Sequence, residues 1–75
     1  MWHEGSVTVD NVLYHYYVKS YELPSNFGIN HGKISKLEIY KENEILVVNY
    51  DRGWLARPVS ETENAIFKML KLLYN

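Results

Sequence analysis

At 75 residues, 47% hydrophobic and 23% charged, the chain has the size of one small domain and the balance of a folded protein rather than a disordered tail. Eight basic residues against nine acidic ones leave a formal charge of −1, which excludes a generic polybasic nucleic-acid or membrane binder and a strongly acidic DNA mimic. With no cysteine there is neither a disulfide framework nor a thiolate zinc site, and the excess that stands out is aromatic: seven Tyr, two Trp and two Phe, 15% of the chain.

The opening Met1-Trp2-His3-Glu4-Gly5 has neither the basic nor the apolar segment of a secretory leader. The longest apolar run, Ile45-Leu46-Val47-Val48, is far short of a membrane span. A cytoplasmic protein without a membrane partner is expected. No repeat, low-complexity stretch or linker interrupts the chain, so residues 1–75 are expected to form a single domain.

Alternating β-branched and aromatic residues over 6–9 and 12–21 flank Asp10-Asn11, two residue types that tolerate positive φ, and predict a hairpin with a two-residue turn. That register pairs Val9 with Val12, Val7 with Tyr14, Gly5 with Tyr16 and His3 with Val18. One face then collects Val7, Val9, Val12, Tyr14, Tyr16 and Val18, an apolar set that supports the register. Residues 22–32 form a long connection in which Pro24 disfavours helix and Gly28 and Gly32 free the backbone. A second hairpin is predicted over 33–41 and 44–50 around Glu42-Asn43. In it Ile39 faces Leu46, Leu37 faces Val48 and Ser35 faces Tyr50 on the core side. Tyr40–Ile45, Glu38–Val47, Lys36–Asn49 and Ile34–Asp51 share the other side.

After the irregular Asp51-Arg52-Gly53-Trp54 and Arg57-Pro58, Ser60-Glu61-Thr62-Glu63 fits a capping box, and Ile66, Met69, Leu70 and Leu73 recur at helical spacing. The fold class predicted is α+β: a four-stranded antiparallel sheet of two hairpins with one C-terminal helix packed on one face, ββββα. A lone helix covers one face only, so the opposite face is left to solvent or to a partner.

The residues offer little to catalysis. His3, His15 and His31 lack the spacing of metal ligands, so polar surface or turn roles explain them better and no metal or other cofactor is expected. There is no G-x-S-x-G elbow and no thiol, and Asp51-Arg52 reads as a turn or a positioning ion pair before an acid/base pair. Gly28-Ile29-Asn30-His31-Gly32-Lys33 lacks the Gly-Lys-Ser/Thr ending of a phosphate loop and precedes a strand rather than a helix. No enzyme and no small-molecule substrate are inferred.

The aromatic residues carry the functional expectation. Tyr17 and Tyr40 fall on the face away from the core with Ile34, Ile45 and Val47, interspersed with Lys36 and other charges, a composition typical of protein interfaces. The plainer alternative is that Tyr and Ile are good strand formers on a solvated face. A second candidate surface gathers Asn30, His31, Arg52, Trp54 and Arg57, provided the loop before the third strand packs near the end of the fourth. Trp54 serves equally well as the closing residue of the core. Single-stranded nucleic acid on the open aromatic face is the competing use, weakened by Glu38, Glu42 and Glu44 on the same hairpin.

Phe27-Gly28-Ile29-Asn30, Gly32-Lys33-Ile34-Ser35-Lys36-Leu37 and Asn49-Tyr50-Asp51-Arg52-Gly53-Trp54, with the opening Trp2-x-Glu4-Gly5 and the closing helix, resemble an uncharacterised family of short proteins. That family is a domain of unknown function found in Gram-positive bacteria and their phages and plasmids, and the likeness covers nearly the whole chain. The resemblance implies a mobile-element accessory protein, a class that often acts by binding a host protein, inhibition of a host enzyme or defence nuclease being one form. It brings no catalytic residue. The expected partner is therefore a host protein or a second copy of the chain.

Overall fold

Asp10 and Asn11 both adopt left-handed backbone, φ 51° and 65°, in the computed structural model, which describes residues 1–75. Two consecutive positive φ values are what a two-residue hairpin turn needs to match the twist of its strands. Strands β1 (Trp2–Val9) and β2 (Val12–Ser20) accordingly pair as expected, Val9 with Val12, Val7 with Tyr14, Gly5 with Tyr16 and His3 with Val18. Strands β3 (Ile34–Lys41), β4 (Ile45–Asp51) and β5 (Trp54–Ala56) complete an antiparallel meander in the order β1-β2-β3-β4-β5. The sheet therefore has five strands rather than four. The fifth is only three residues long and has no alternating pattern of its own. Arg52, at φ 56°, turns the chain back, and Trp54 and Ala56 pair with Tyr50 and Asn49.

The second hairpin departs from the expected register. Three residues rather than two separate β3 from β4, so Lys41 faces Ile45 and Tyr40 faces Leu46. A bulge at Val47 then adds one more residue, and beyond it Ile39 faces Val48, Leu37 faces Tyr50 and Lys36 faces Asp51. A slip of two positions keeps every side chain on its face, which is why Leu37, Ile39, Val48 and Tyr50 are buried as anticipated. A slip of one does not. Ile45 leaves Tyr40 for the Lys41 side, and Leu46 takes its place opposite Tyr40.

A second bulge, at Ser35, corrects the placement of Ile34. Lys19 faces Lys36 but Ser20 faces Ile34, leaving Ser35 without a partner. The extra residue turns Ile34 inward, to 0% exposure, and it belongs to the core rather than to the open face. Val47 is likewise half-buried and packs against the core cluster.

Helix α1 (Glu61–Tyr74) starts on the capping box: the Glu63 N–H donates to Ser60 Oγ at 3.0 Å, and the Glu63 carboxylate accepts from the Ser60 N–H at 3.4 Å. Ile66 and Leu70 are buried as the spacing predicts, with Phe67, Met69 and Tyr74 against the same cluster. Leu73 is 59% exposed instead. The stripe rotates toward Phe67 because its ring meets Trp54 edge-on at 5.2 Å, while Tyr74 stacks on His3 at 4.1 Å.

The connection after β2 folds back on the end of the sheet. A one-turn 3₁₀ helix (Ile29–His31) buries Ile29 to 1% exposure. Two side chains pin it: the Tyr50 hydroxyl donates to the Phe27 carbonyl at 2.7 Å, and the Asn75 amide donates to the Ile29 carbonyl at 3.0 Å while its oxygen accepts from the Ile34 N–H at 3.0 Å. The fit is close. A Cβ on Gly28 would meet the Gly32 carbonyl, and one on Gly32 would meet the Asn75 carboxamide. Replacing Asn75 with Ala strands the part-buried Ile34 N–H and is expected to cost about 1–3 kcal/mol in urea unfolding. Amide exchange over residues 25–33 should rise before that of the strands, and unchanged exchange there would show that Asn75 does not hold the loop.

Candidate functional site

Helix α1 lies on one face of the sheet, and no element lies on the other. The strand registers arrange that open face in cross-strand rows. Trp2, Lys19, Lys36 and Asp51 form one row, and Glu4, Tyr17, Glu38 and Asn49 the next. Ser6, His15, Tyr40 and Leu46 form a third. Tyr17 and Tyr40 lie diagonally adjacent and meet edge-to-face at 5.9 Å, so these two candidates do share a surface. Leu13, Tyr17 and Leu46 are exposed, and Trp2 is 56% exposed. Of the five residues assigned to this face with Lys36, Tyr17 and Tyr40 lie there, whereas Ile34 is in the core, Ile45 moves to the other side at the hairpin end, and Val47 is taken up in a bulge.

The first row is unlike the others. Lys19 and Lys36 stand directly opposite each other, and both ammonium groups sit over the Trp2 indole, at 5.6 and 5.9 Å from its centroid. Lys19 also lies 5.5 Å from the Tyr21 ring. At the far end Asp51 receives Lys36 at 3.7 Å and Arg52 at 3.9 Å. Beside this row is a concavity of about 350 Å³. The sheet supplies Lys19, Lys36 and Asp51, the pinned loop supplies Tyr21, Ser25 and Phe27, and the turn after β4 supplies Arg52. Its floor is set by the Ser35 bulge, whose carbonyl accepts the Arg52 N–H at 2.9 Å. The left-handed φ of Arg52 and the unpaired Ser35 thus close on each other, two backbone irregularities at one place.

The second candidate surface is partly assembled. The loop before β3 does pack at the end of β4, through Tyr50 and Phe27. The residues that join Arg52 at the concavity are Tyr21, Ser25 and Phe27, not Asn30, His31, Trp54 or Arg57. Asn30 and His31 are exposed at positive φ on the 3₁₀ turn, φ 51° and 57°. Trp54 is half-buried between Tyr50 and Phe67, edge-to-face with each at 5.1 and 5.2 Å, and closes the end of the core with Arg57 5.1 Å from its ring. Sequence reasoning places Lys19 among the charges of the open face and passes over Trp2, Tyr21 and Phe27. Tyr21 and Phe27 flank Pro24 in a segment without periodicity, so no pattern marks their direction. Strand parity puts Lys19 and Lys36 on one face, but it is the Ser35 bulge, which no sequence pattern marks, that sets them directly opposite each other. His3 shares a hydrogen-bonding contact of 3.0 Å between Nε2 and Ser20 Oγ, and His15 stands opposite Tyr40.

A five-stranded antiparallel sheet with one capped helix on one face and an open aromatic face defines a small α+β domain. By its sequence profile, which matches over residues 1–75, the chain belongs to the family described as Domain of unknown function (DUF7678). No curated protein and no solved structure matches it. No helix is long and apolar enough to cross a membrane.

Three phenols sit in surroundings that disfavour their charge. Tyr16, Tyr40 and Tyr50 are each held above the ordinary value of 10.0, first by burial, with Tyr74 adding to the effect at Tyr16 and Glu38 at Tyr40. In the unfolded chain these phenols ionise near 10.0, so their contribution to stability is whole below that pH and is lost as pH rises through the raised native values. Chemical denaturation is expected to show a midpoint that falls above about pH 10, with a shallower fall for Tyr50→Phe. Equal slopes for wild type and Tyr50→Phe would separate that phenol from the alkaline transition.

Proposed function

We propose that the chain is a non-catalytic interaction module that engages a protein partner through the open sheet face. The observation that carries this reading is the uncovered face itself, with Trp2, Leu13, Tyr17 and Leu46 exposed around the Tyr17–Tyr40 pair. Aromatic anchors of this kind dominate binding energy when a partner excludes water from them. The charges favour a protein over a polyanion: the Lys19–Lys36 row is followed at once by the Glu4–Glu38 row, so the sign reverses within one row spacing. That alternation supports a partner of mixed charge and weakens the alternative, single-stranded nucleic acid stacked on Tyr17 and Tyr40. The family resemblance to short proteins of Gram-positive bacteria and their mobile elements makes a host protein the first partner to seek, and a second copy of the chain the next.

The test uses tagged protein as bait in Gram-positive host lysate, with folded Tyr17→Ala and Tyr40→Ala beside Leu72→Ala on the exposed side of the helix. A partner retained by wild type and Leu72→Ala and reduced at least about tenfold by the tyrosine variants is expected for hot-spot residues. Equal recovery by all four removes the face as the contact surface. Sedimentation over a range of concentrations reads self-association in the same set. Salt-sensitive binding of an oligothymidylate that is lost in Tyr17→Ala would replace the protein reading with the nucleic-acid one.

A further inference from the structure

We infer that the concavity between the Lys19–Lys36 row and the pinned loop is a binding site for a phosphate monoester carried on a planar group. This goes beyond the protein-contact reading, and its anion-binding residue Arg52 lies outside the Tyr17–Tyr40 surface.

Three features converge on an anion. First, two lysines directly opposite on neighbouring strands repel each other, an arrangement that destabilises a sheet unless a negative charge is shared between them. Asp51 engages only the Lys36 side. Lys19 makes no ion pair and rests on the Trp2 and Tyr21 rings. Second, Arg52 brings a third cation to the same hollow, so three cations face one carboxylate in a chain whose formal charge is −1. Its backbone is held at φ 56° by the bond to Ser35, which fixes the point from which the guanidinium projects. Third, the loop side of the hollow carries exposed rings, Tyr21 at 51% and Phe27 at 63%, together with Ser25. A planar group attached to the phosphate would lie against those rings.

The surrounding charges set the size of the ligand. The Glu4–Glu38 row borders the lysine row on the sheet, so a phosphate backbone could not continue across the face without meeting carboxylates. The site therefore suits one compact phosphate group of high charge density, which a guanidinium fork and two ammonium groups recognise well. A volume of about 350 Å³ holds a ligand of mononucleotide size.

The experiment is an amide chemical-shift titration of the labelled full chain with adenosine 5′-monophosphate, inorganic phosphate and adenosine as separate probes. Saturable shifts at Ser25, Phe27, Ser35, Lys36 and Arg52 are expected with the monophosphate. Inorganic phosphate should bind the same residues more weakly, and adenosine should not saturate. Arg52→Gln and Lys36→Gln, both at exposed side chains, should weaken the monophosphate at least about tenfold, the loss expected for a charge-assisted hydrogen bond. Lys68→Gln on the helix should leave it unchanged. Absence of saturation with either phosphate probe, or equal binding by Arg52→Gln and Lys68→Gln, overturns the site. Equal affinity for inorganic phosphate and the monophosphate overturns the planar half of the proposal. An oligothymidylate that displaces the monophosphate and binds far more tightly would assign the hollow to a nucleic-acid strand instead. Loss of lysate partner with intact monophosphate binding, or the reverse, keeps this site distinct from the protein-contact face.

Discussion

The irregular half of this domain depends on a few polar side chains that hold a loop against the end of a sheet. Asn75 uses both ends of its carboxamide, one on the Ile29 carbonyl and one on the Ile34 N–H, so the end of the helix, the 3₁₀ turn and the start of β3 are joined through a single side chain. Tyr50 adds a fourth element by donating to Phe27 from β4. These bonds matter because burying Ile29 requires the backbone around it to be buried as well, and backbone polar groups removed from water need partners. Gly28 and Gly32 have no room for a side chain at that junction. Without it the concavity would lose its Tyr21–Phe27 wall.

The open face is shaped by the sheet's departures from regularity. Three bulges, at Ser35, Val47 and Leu55, each insert one residue and each redirect neighbouring side chains. At Ser35 the result is an inward Ile34 and a carbonyl free to receive the Arg52 N–H. Val47 adds one residue to the shift begun by the three-residue loop, so that Lys36 meets Asp51 rather than Tyr50. The Leu55 bulge lets β5 present Trp54 to Tyr50 and Phe67. Together these concentrate positive charge at one end of the open face and leave Tyr17 and Tyr40 over its centre. A domain of this size has little core to spare, and ten buried apolar residues carry it. Its aromatic excess is divided between closing that core and furnishing the exposed face.

The first hairpin is fully legible in the sequence. Asp10-Asn11 specify the turn and with it the register, and the apolar set at alternate positions fixes which face is inward. The helix start was equally legible from its capping box, a local hydrogen-bonding pattern. The second hairpin was legible in its faces but not in its pairing, because Ile45, Leu46, Val47 and Val48 form an unbroken apolar run with no alternation to choose among registers. For the candidate site, Tyr17, Tyr40, Lys36 and Arg52 were visible from strand parity and turn position. Ile34 and Val47 were misplaced by bulges that leave no mark in composition.

The sequence alone determined the α+β class, the two hairpins of the sheet, the capped helix and the existence of an uncovered face, because each follows from local propensity and from period-two or helical spacing. Tertiary structure alone decided the fifth strand, the rotation of the helix stripe toward Phe67 and Tyr74, and the meeting of Lys19, Lys36, Arg52, Tyr21 and Phe27 around one hollow. The fifth strand is a three-residue return onto β4, too short to carry a pattern, while the helix rotation and the hollow rest on contacts between residues far apart in the chain, set by bulges and by a loop held down from the chain's far end. No repeat spacing in the chain encodes a distance of that kind.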